Sequence, residues 1–397
     1  MAKKKKIEQA KEMPQEIVKG TKVEKIVEHI EKEIQKCDDK SFNIYFYVID
    51  TKGVPSGSLL YSYKLAYCLQ ELGYNVTMLH NEGKDFVGVG QWAEKKYSEL
   101  KHMNIGDRKG TFSPSDFLVI PEIYTDIMSQ LRSVPCKRIM LVQNFDYMTR
   151  IIPPGVSPYE YNITDAIINT ECNENIVNSN LEKIHTHVIR PGISSAMFRK
   201  NDKPKKMIVN FVARDGNDIS RIIKPFQWKY PQLKWVQAAQ LVNLPQETFA
   251  DALRDSFMTV IIDDHASFCY AALEALKTGN IVICKIPDNV PDWMYEKRED
   301  TENKNEVKDL TNSIVWVDNL NEVPDIIANL SAMWLRDDIP YELYEEIEKI
   351  ARLHTMEDMM EDVKKVFVDE LFVNRKCELE DALKKFKKNK EEKKEEK

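Results

Sequence analysis

Two α/β domains, each a parallel sheet covered by helices, the pair facing across a cleft, are the fold this sequence predicts. Three observations lead there. Short apolar runs alternate with helical stretches from residue 42 to about residue 318, the pattern of parallel sheets buried on both faces. The run HTHVIRPG stops at Pro191-Gly192, and after the charged stretch KNDKPKK a second series of strands starts at MIVNFVA. The 397 residues exceed one ordinary core and suit two domains with extensions.

The first domain opens with FNIYFYVID (42–50), a buried strand. SLLYSYKLAYCLQELG (58–73) is a helix with Gly73 as its C-cap, and YNVTMLH (74–80) is the next strand. Short apolar strands follow at 116–122, 138–144, 165–170 and 186–192. In the second domain the strands are 207–214, 235–240, 257–263, 280–287 and 312–318, with helices over 245–256 and 267–279 between them. Ahead of both domains, TKVEKIVEHIEKEIQK (21–36) spaces Val23, Ile26, Val27, Ile30 and Ile34 for one helix face, read as packing on the first domain. Residues 338–380 read as helical. The expected organisation is a helical extension (1–40), a first Rossmann-like domain (41–198), a second (199–335), C-terminal helices (336–380) and a charged flexible tail (381–397).

Composition narrows the class. A content of 43 % hydrophobic and 30 % charged residues is that of a soluble globular protein. No apolar run approaches the roughly 20 residues that cross a bilayer, and no apolar segment follows the basic MAKKKKIEQAKEMPQE, so no secretory signal is expected. Seven scattered cysteines without CxxC spacing suggest reduced thiols and a cytoplasmic setting rather than a disulfide frame or zinc site. Residues 1–40 carry +2 and residues 383–397 carry +4; against −7 overall, the body between them carries −13. Such a body exerts no general attraction on nucleic acid.

Three stretches carry candidate chemistry. In DTKGVPSGSLLYSYKLA (50–66) a strand ends, small residues follow and a helix begins; Gly57 and Ser58 would let a ligand approach the backbone at a helix N-terminus. The spacing is not GxGxxG, so no dinucleotide fingerprint is present. In NFVARDGNDISRIIK (210–224), Arg214 sits just past a strand, with Arg221 and Lys224 within the next turns; a guanidinium suits phosphate through its forked donors and permanent charge. In IIDDHASFCYAALEALKTGNIVI (261–283), a strand runs through Asp263, Asp264 and His265 into Ser267, Phe268 and Cys269, whose N–H groups would meet an anion at the helix start. Glu274 stands alone among apolar neighbours, which favours a role as hydrogen-bond acceptor from sugar hydroxyls. Asp263 and His265 share one strand face, too few ligands for a metal site, and none is expected.

Taken in order, these stretches resemble the retaining GT-B glycosyltransferases of the family 4 type. VIRPGISSAMF (188–198) is similar to that family's V-I-P-N-G-V-D-x-x-x-F, and FVARDG (211–216) to its G-R-L strand end. Residues 244–283 resemble its E-G-F-G-x-x-x-x-E-A-x-x-x-G-x-P-V-I region, and residues 56–79 its opening G-G … L-A-x-x-L-x-x-x-G-H-x-V-T. The resemblance covers roughly residues 42–335. It implies a nucleotide-sugar donor, UDP- or GDP-linked, lying mostly on the second domain, with the acceptor mostly on the first. Arg214, with Arg221 or Lys224, would hold the diphosphate; Glu274 would contact the ribose; Gly57 and Ser58 would line the phosphates or reacting sugar. No cofactor or metal is implied beyond the donor itself, and retention of configuration follows from the family.

The departures are specific. The acid expected eight residues before Glu274 is Ala266, with Asp264 and His265 beside it out of register, and the motif's second glycine is Cys269. Where relatives often carry a histidine near the reacting sugar, this chain offers PEIYT (121–125) and QNFDYM (143–148), making Glu122, Asn144 and Asp146 the candidates for catalytic or acceptor contacts. The expected activity is sugar transfer to a hydroxyl of a glycan, a lipid-linked saccharide, a protein or a modified DNA base. The alternatives are a non-catalytic sugar-nucleotide binder and a GT-B sugar-nucleotide epimerase.

Overall fold

The computed structural model describes residues 20–83, 85–107, 111–265, 267–295 and 310–395. Among the described residues twelve strands form two sheets. The first holds β1 (Asn43–Tyr47), β2 (Asn75–His80), β3 (His102–Asn104), β4 (Phe117–Pro121), β5 (Lys137–Val142), β6 (Asp165–Ile168) and β7 (His185–Val188) in the order β3-β2-β1-β4-β5-β6-β7. The second holds β8 (Lys206–Ala213), β9 (Gln237–Gln240), β10 (Ser256–Ile262), β11 (Ile281–Lys285) and β12 (Ile314–Val317) in the order β12-β11-β10-β8-β9. Every pairing within both sheets is parallel. Each strand read from the sequence overlaps one of these elements and overruns it at one or both ends, as 42–50 does β1 and 186–192 does β7; β3, three half-buried residues with no apolar run, was beyond the reach of periodicity.

Burial follows the parallel-sheet rule. Strands β4, β6 and β10 are buried along their whole length. One face of the first sheet packs Ile44, Phe46, Val119 and Ile139 against the Gly57–Glu71 helix, and the other packs Tyr45, Leu118, Met140 and Ala166 against Met128, Met148 and Val177. That helix ends as its sequence indicates: Leu72 closes it and Gly73 takes φ +87°, a conformation a Cβ would resist. In the second domain a single core gathers Val209, Phe211, Leu253, Met258, Leu273 and Ile283.

The chain passes between the domains twice. After β7 it crosses through Ile189–Phe198; after the helices Val323–Leu335 and Tyr341–Ala351 of the second domain it crosses back. Met359, Val363, Phe367, Leu371 and Phe372 then complete the first domain's core. The stretch expected to be helical over 338–380 is therefore several pieces: Tyr341–Ala351, Met356–Val363, a π-helical run Lys364–Leu371 and Phe372–Glu395. The last continues through the charged tail expected to be flexible from residue 381. It packs along the helix Gly20–Asp38, with Lys376 paired to Asp38 and Lys387 Nζ 2.9 Å from Glu31. The second anchor of that N-terminal helix is Glu33. Its carboxylate is held below the usual range, near 2, by Lys36, Ser113 and Ser115, whose hydrogen bonds outweigh its burial. The basic residues 1–19 lie outside the described residues.

The two crossings touch at Gly192. Ile193 N donates to His354 O at 2.8 Å, and a Cβ placed on Gly192 would lie 2.7 Å from Thr355 O and 2.9 Å from Met356 Cα. Both obstacles are backbone and cannot rotate away. Gly192→Ala is therefore expected to destabilise the protein by about 1–3 kcal/mol, the range for overpacking a closed site, read as a lowered midpoint in denaturant. A wild-type midpoint would show that the crossings are not in contact.

Candidate functional site

In open α/β sheets, ligands sit beyond the carboxyl ends of the strands where the strand order reverses. In the first sheet that point lies between β1 and β4, and in the second between β8 and β10. The carboxyl ends of the two sheets face each other. Loops after β5 and β6 reach the loop after β10, and the turn after β5 reaches the end of β8.

Arg214 follows β8 directly. Its Nε donates to Asp263 Oδ1 at 2.7 Å across the second sheet's reversal point, and its Nη1 donates to Tyr147 Oη at 2.5 Å from the opposite domain. The side chain is 54 % exposed, so its charge remains available. Arg221 and Lys224 are exposed on the helix Gly216–Lys229. Arg221 pairs with Asp218 at 3.3 Å, and Lys224 has no ion pair among the described residues. Asp215 caps that helix and Asp218 lies in its first turn, so its N-terminus is already met by carboxylates.

The segment after β10 is held on several sides. Asp264 Oδ2 accepts from Lys285 Nζ at 2.6 Å. His265 is exposed, its Nδ1 3.2 Å from Asp288 Oδ2, and its carbonyl accepts from Asn144 Nδ2 at 2.9 Å. Ser267 Oγ accepts from Asn173 Nδ2 at 2.5 Å and lies 3.3 Å from Asn169 Oδ1. Phe268 is buried, and its carbonyl accepts from Trp293 Nε1 at 2.9 Å. The helix read as starting at residue 267 starts at Tyr270. Cys269 takes the left-handed conformation (φ +58°) as its N-cap and ends the helical path there. A β-carbon resists that conformation, which explains why glycine is the more usual residue for it. Position 266 lies outside the described residues.

Gly57 and Ser58 are exposed in the first turn of the Gly57–Glu71 helix, whose N-cap Ser56 accepts from Leu59 N at 3.3 Å. The Tyr270 ring lies 3.3 Å from where a Gly57 Cβ would stand, so the two domains' helix starts abut. Deeper between them, Glu274 is buried and faces Lys64, which is buried too. Burial pushes the Glu274 carboxyl up and the Lys64 ammonium down, and each restrains the other's shift. Lys64 Nζ also donates to Gly192 O at 2.6 Å and lies 5.7 Å from the Tyr270 ring centre.

Glu122, Asn144 and Asp146 cluster at the ends of β4 and β5. Glu122 is 3 % exposed; its Oε1 accepts from Asn144 N at 3.0 Å, while its Oε2 is buried without a hydrogen-bond partner. Burial raises its carboxyl to about 7, against backbone hydrogen bonds that favour the ionised form. Asn144 caps the helix Phe145–Ile151 through Asp146 N at 2.9 Å. Asp146 is half-buried in that helix's first turn. Among the described residues no group of three or more His, Cys, Asp and Glu is arranged around a common metal position.

Sequence reasoning missed Lys64, Tyr147, Asn169, Asn173 and Trp293. Lys64 did carry a signal, as an isolated charge within SLLYSYKLAYCL, the same argument that singled out Glu274. Asn169 and Asn173 stand four apart just past a strand, one helical turn, a spacing that places both on one side.

No family model matches the chain, and no curated protein matches it in sequence. Solved structures do match in fold. Sucrose-phosphate synthase from Thermosynechococcus elongatus aligns over 84 % of this chain and 100 % of its own, with a TM-score of 0.58 and 11 % identity. Anabaena HepE in complex with UDP and glucose aligns over 83 % and 100 %, with a TM-score of 0.54 and 10 % identity. The pneumococcal O-GlcNAc transferase GtfA in complex with UDP and GlcNAc aligns over 83 % and 99 %, with a TM-score of 0.53 and 8 % identity. This likeness shows the fold: two parallel-sheet domains in the GT-B arrangement.

The Glu122 carboxyl gives a pH prediction. Raised from 4.5 to about 7, it keeps in the folded state a proton that the unfolded chain releases near 4.5. The stability it contributes is full below the unfolded value and is lost as pH rises through about 7. Glu122→Gln keeps an acceptor for Asn144 N and removes the titration. The wild-type minus variant stability difference is expected to fall by up to roughly 3 kcal/mol over that window and then to level off. Melting or denaturant curves across pH check this; parallel curves would mean that Glu122 does not hold its proton.

Proposed function

We propose that this protein is a retaining glycosyltransferase that moves a sugar from a nucleotide-sugar donor, UDP- or GDP-linked, to an acceptor hydroxyl. The observation that carries this reading is Arg214, a half-exposed guanidinium at the second domain's strand-order reversal, within hydrogen-bonding reach of the opposite domain. Two of the fold neighbours were solved with UDP and a sugar, which supports a nucleotide-sugar ligand for this arrangement.

In this reading the diphosphate lies against Arg214 and the 263–269 loop, with Gly57 and Ser58 closing over it from the first domain. As the bond from the anomeric carbon to phosphate oxygen breaks, negative charge grows on the diphosphate. Arg214 and backbone N–H groups stabilise it. The acceptor oxygen bonds to the anomeric carbon on the face the phosphate leaves, and its proton passes to the departing phosphate oxygen. Configuration is thereby retained without a protein nucleophile. Half-buried Asp146 orients the acceptor hydroxyl, while Glu122, buried, holds Asn144 in place by accepting from its N–H. The acceptor is a glycan, a lipid-linked saccharide or a modified DNA base; the acidic body favours the first two.

Incubation with UDP-, GDP-, ADP- and CDP-sugars, followed by product analysis, tests the reading. Release of nucleoside diphosphate with a transferred or free sugar is expected for at least one donor. A changed donor without transfer would indicate an epimerase. Arg214→Ala is expected to weaken binding of the corresponding nucleoside diphosphate about 10–100-fold, the value of a lost charge-assisted contact, as seen by calorimetry. A folded protein that binds none of the four nucleotides would overturn the reading. Tight binding with no turnover would favour a non-catalytic binder, the alternative that Ala266 in the place of an acid suggests.

A further inference from the structure

Three hydrogen bonds join the loop after β10 to the opposite domain: Asn144 Nδ2 donates to the carbonyl of His265, Asn173 Nδ2 donates to Ser267 Oγ, and Ser267 Oγ donates to Asn169 Oδ1. Others are internal to the second domain: Trp293 Nε1 donates to the carbonyl of Phe268, Lys285 Nζ to Asp264 Oδ2 and Asp288 N to the carbonyl of Asp264.

The donors on the first domain belong to a built network. Asn173 is 2 % exposed, and its Nδ2 also donates to Asn169 Oδ1 at 2.9 Å. Asn169, equally buried, donates to Gln143 O at 3.0 Å. Thr170 Oγ1 fixes the start of the Glu171–Asn180 helix by accepting from Asn173 N at 3.2 Å. A second contact runs alongside, with Glu171 N donating to Asp292 Oδ2 at 2.6 Å. Buried amides held in this way have one available orientation, and it presents N–H groups to the opposite loop.

We propose that Asn173, seconded by Asn144, is a positioning residue that holds His265 and Ser267, and with them the described part of the loop after β10 (263–265 and 267–269), from across the cleft. That loop has its nucleotide-binding shape only while the domains are together. The second half of this statement rests on the donor reading above; the first half does not.

Asn173→Leu keeps the approximate shape and removes the donor; Ser267→Ala removes the acceptor from the other side. Amide hydrogen exchange of the full-length protein, without ligand, is read at 263–269, and UDP and GDP affinities are read by calorimetry. Either variant is expected to speed exchange of the loop at least about tenfold while helix Gly57–Glu71 keeps its protection, and to weaken the better-bound nucleotide about tenfold. The double variant should change both by less than the sum of the two single ones, because the Asn173–Ser267 contact is common to both, although each also removes a hydrogen bond to Asn169. Unchanged exchange in both single variants would overturn the proposal. Faster exchange with unchanged nucleotide affinity would overturn the link to the ligand. Faster exchange in a protein whose wild type binds neither nucleotide would uphold the positioning role and count against the donor reading.

Discussion

The constraint on which the rest of the architecture depends is the contact between two chain crossings at Gly192. A two-domain chain linked once can swing freely. Here the return crossing at His354–Thr355 lies against the outgoing one, backbone to backbone, and Lys64 and Tyr61 bind its carbonyls from the first domain. The carboxyl ends of the two sheets are thereby held opposite each other, which places Arg214 beside Tyr147 and Asn173 beside Ser267. Without a glycine at this point the crossings would have to separate, and the cleft would widen from its base.

Beside that contact lie buried charges that ordinary packing would exclude. Lys64 and Glu274 meet at the seam between domains, and Glu94 Oε1 and Tyr270 Oη lie there without hydrogen-bond partners among the described residues. Replacing such groups with apolar ones commonly costs nothing or even stabilises a protein, so their presence is not explained by stability. An apolar seam is non-directional, whereas a buried charged pair is satisfied only where its two partners meet.

The fold was legible from alternation alone, because parallel strands buried on both faces leave continuous apolar runs such as FLVIP and IMLV. What the alternation could not reveal was set by tertiary contacts. β3 exists because it pairs with β2, not because HMN is apolar. The helix before Glu274 is short because Cys269 turns the chain left-handed, and nothing in SFCYAALE signals a turn. At the site, single residues in unlikely company were readable: Arg214 at a strand end, Glu274 among alanines and leucines. Residues that act across the cleft were not. Tyr147 and Asn173 become neighbours of the second domain only after both sheets have formed, and their own sequence surroundings are ordinary.

Arg214 does not wait empty-handed. Asp263 already accepts from its Nε and Tyr147 from its Nη1, which leaves Nη2 as the nitrogen without a hydrogen bond among the described residues. The carboxylate beside it lowers the net charge that any approaching anion meets, so the small anions of a cell occupy this arginine less than they would a bare guanidinium.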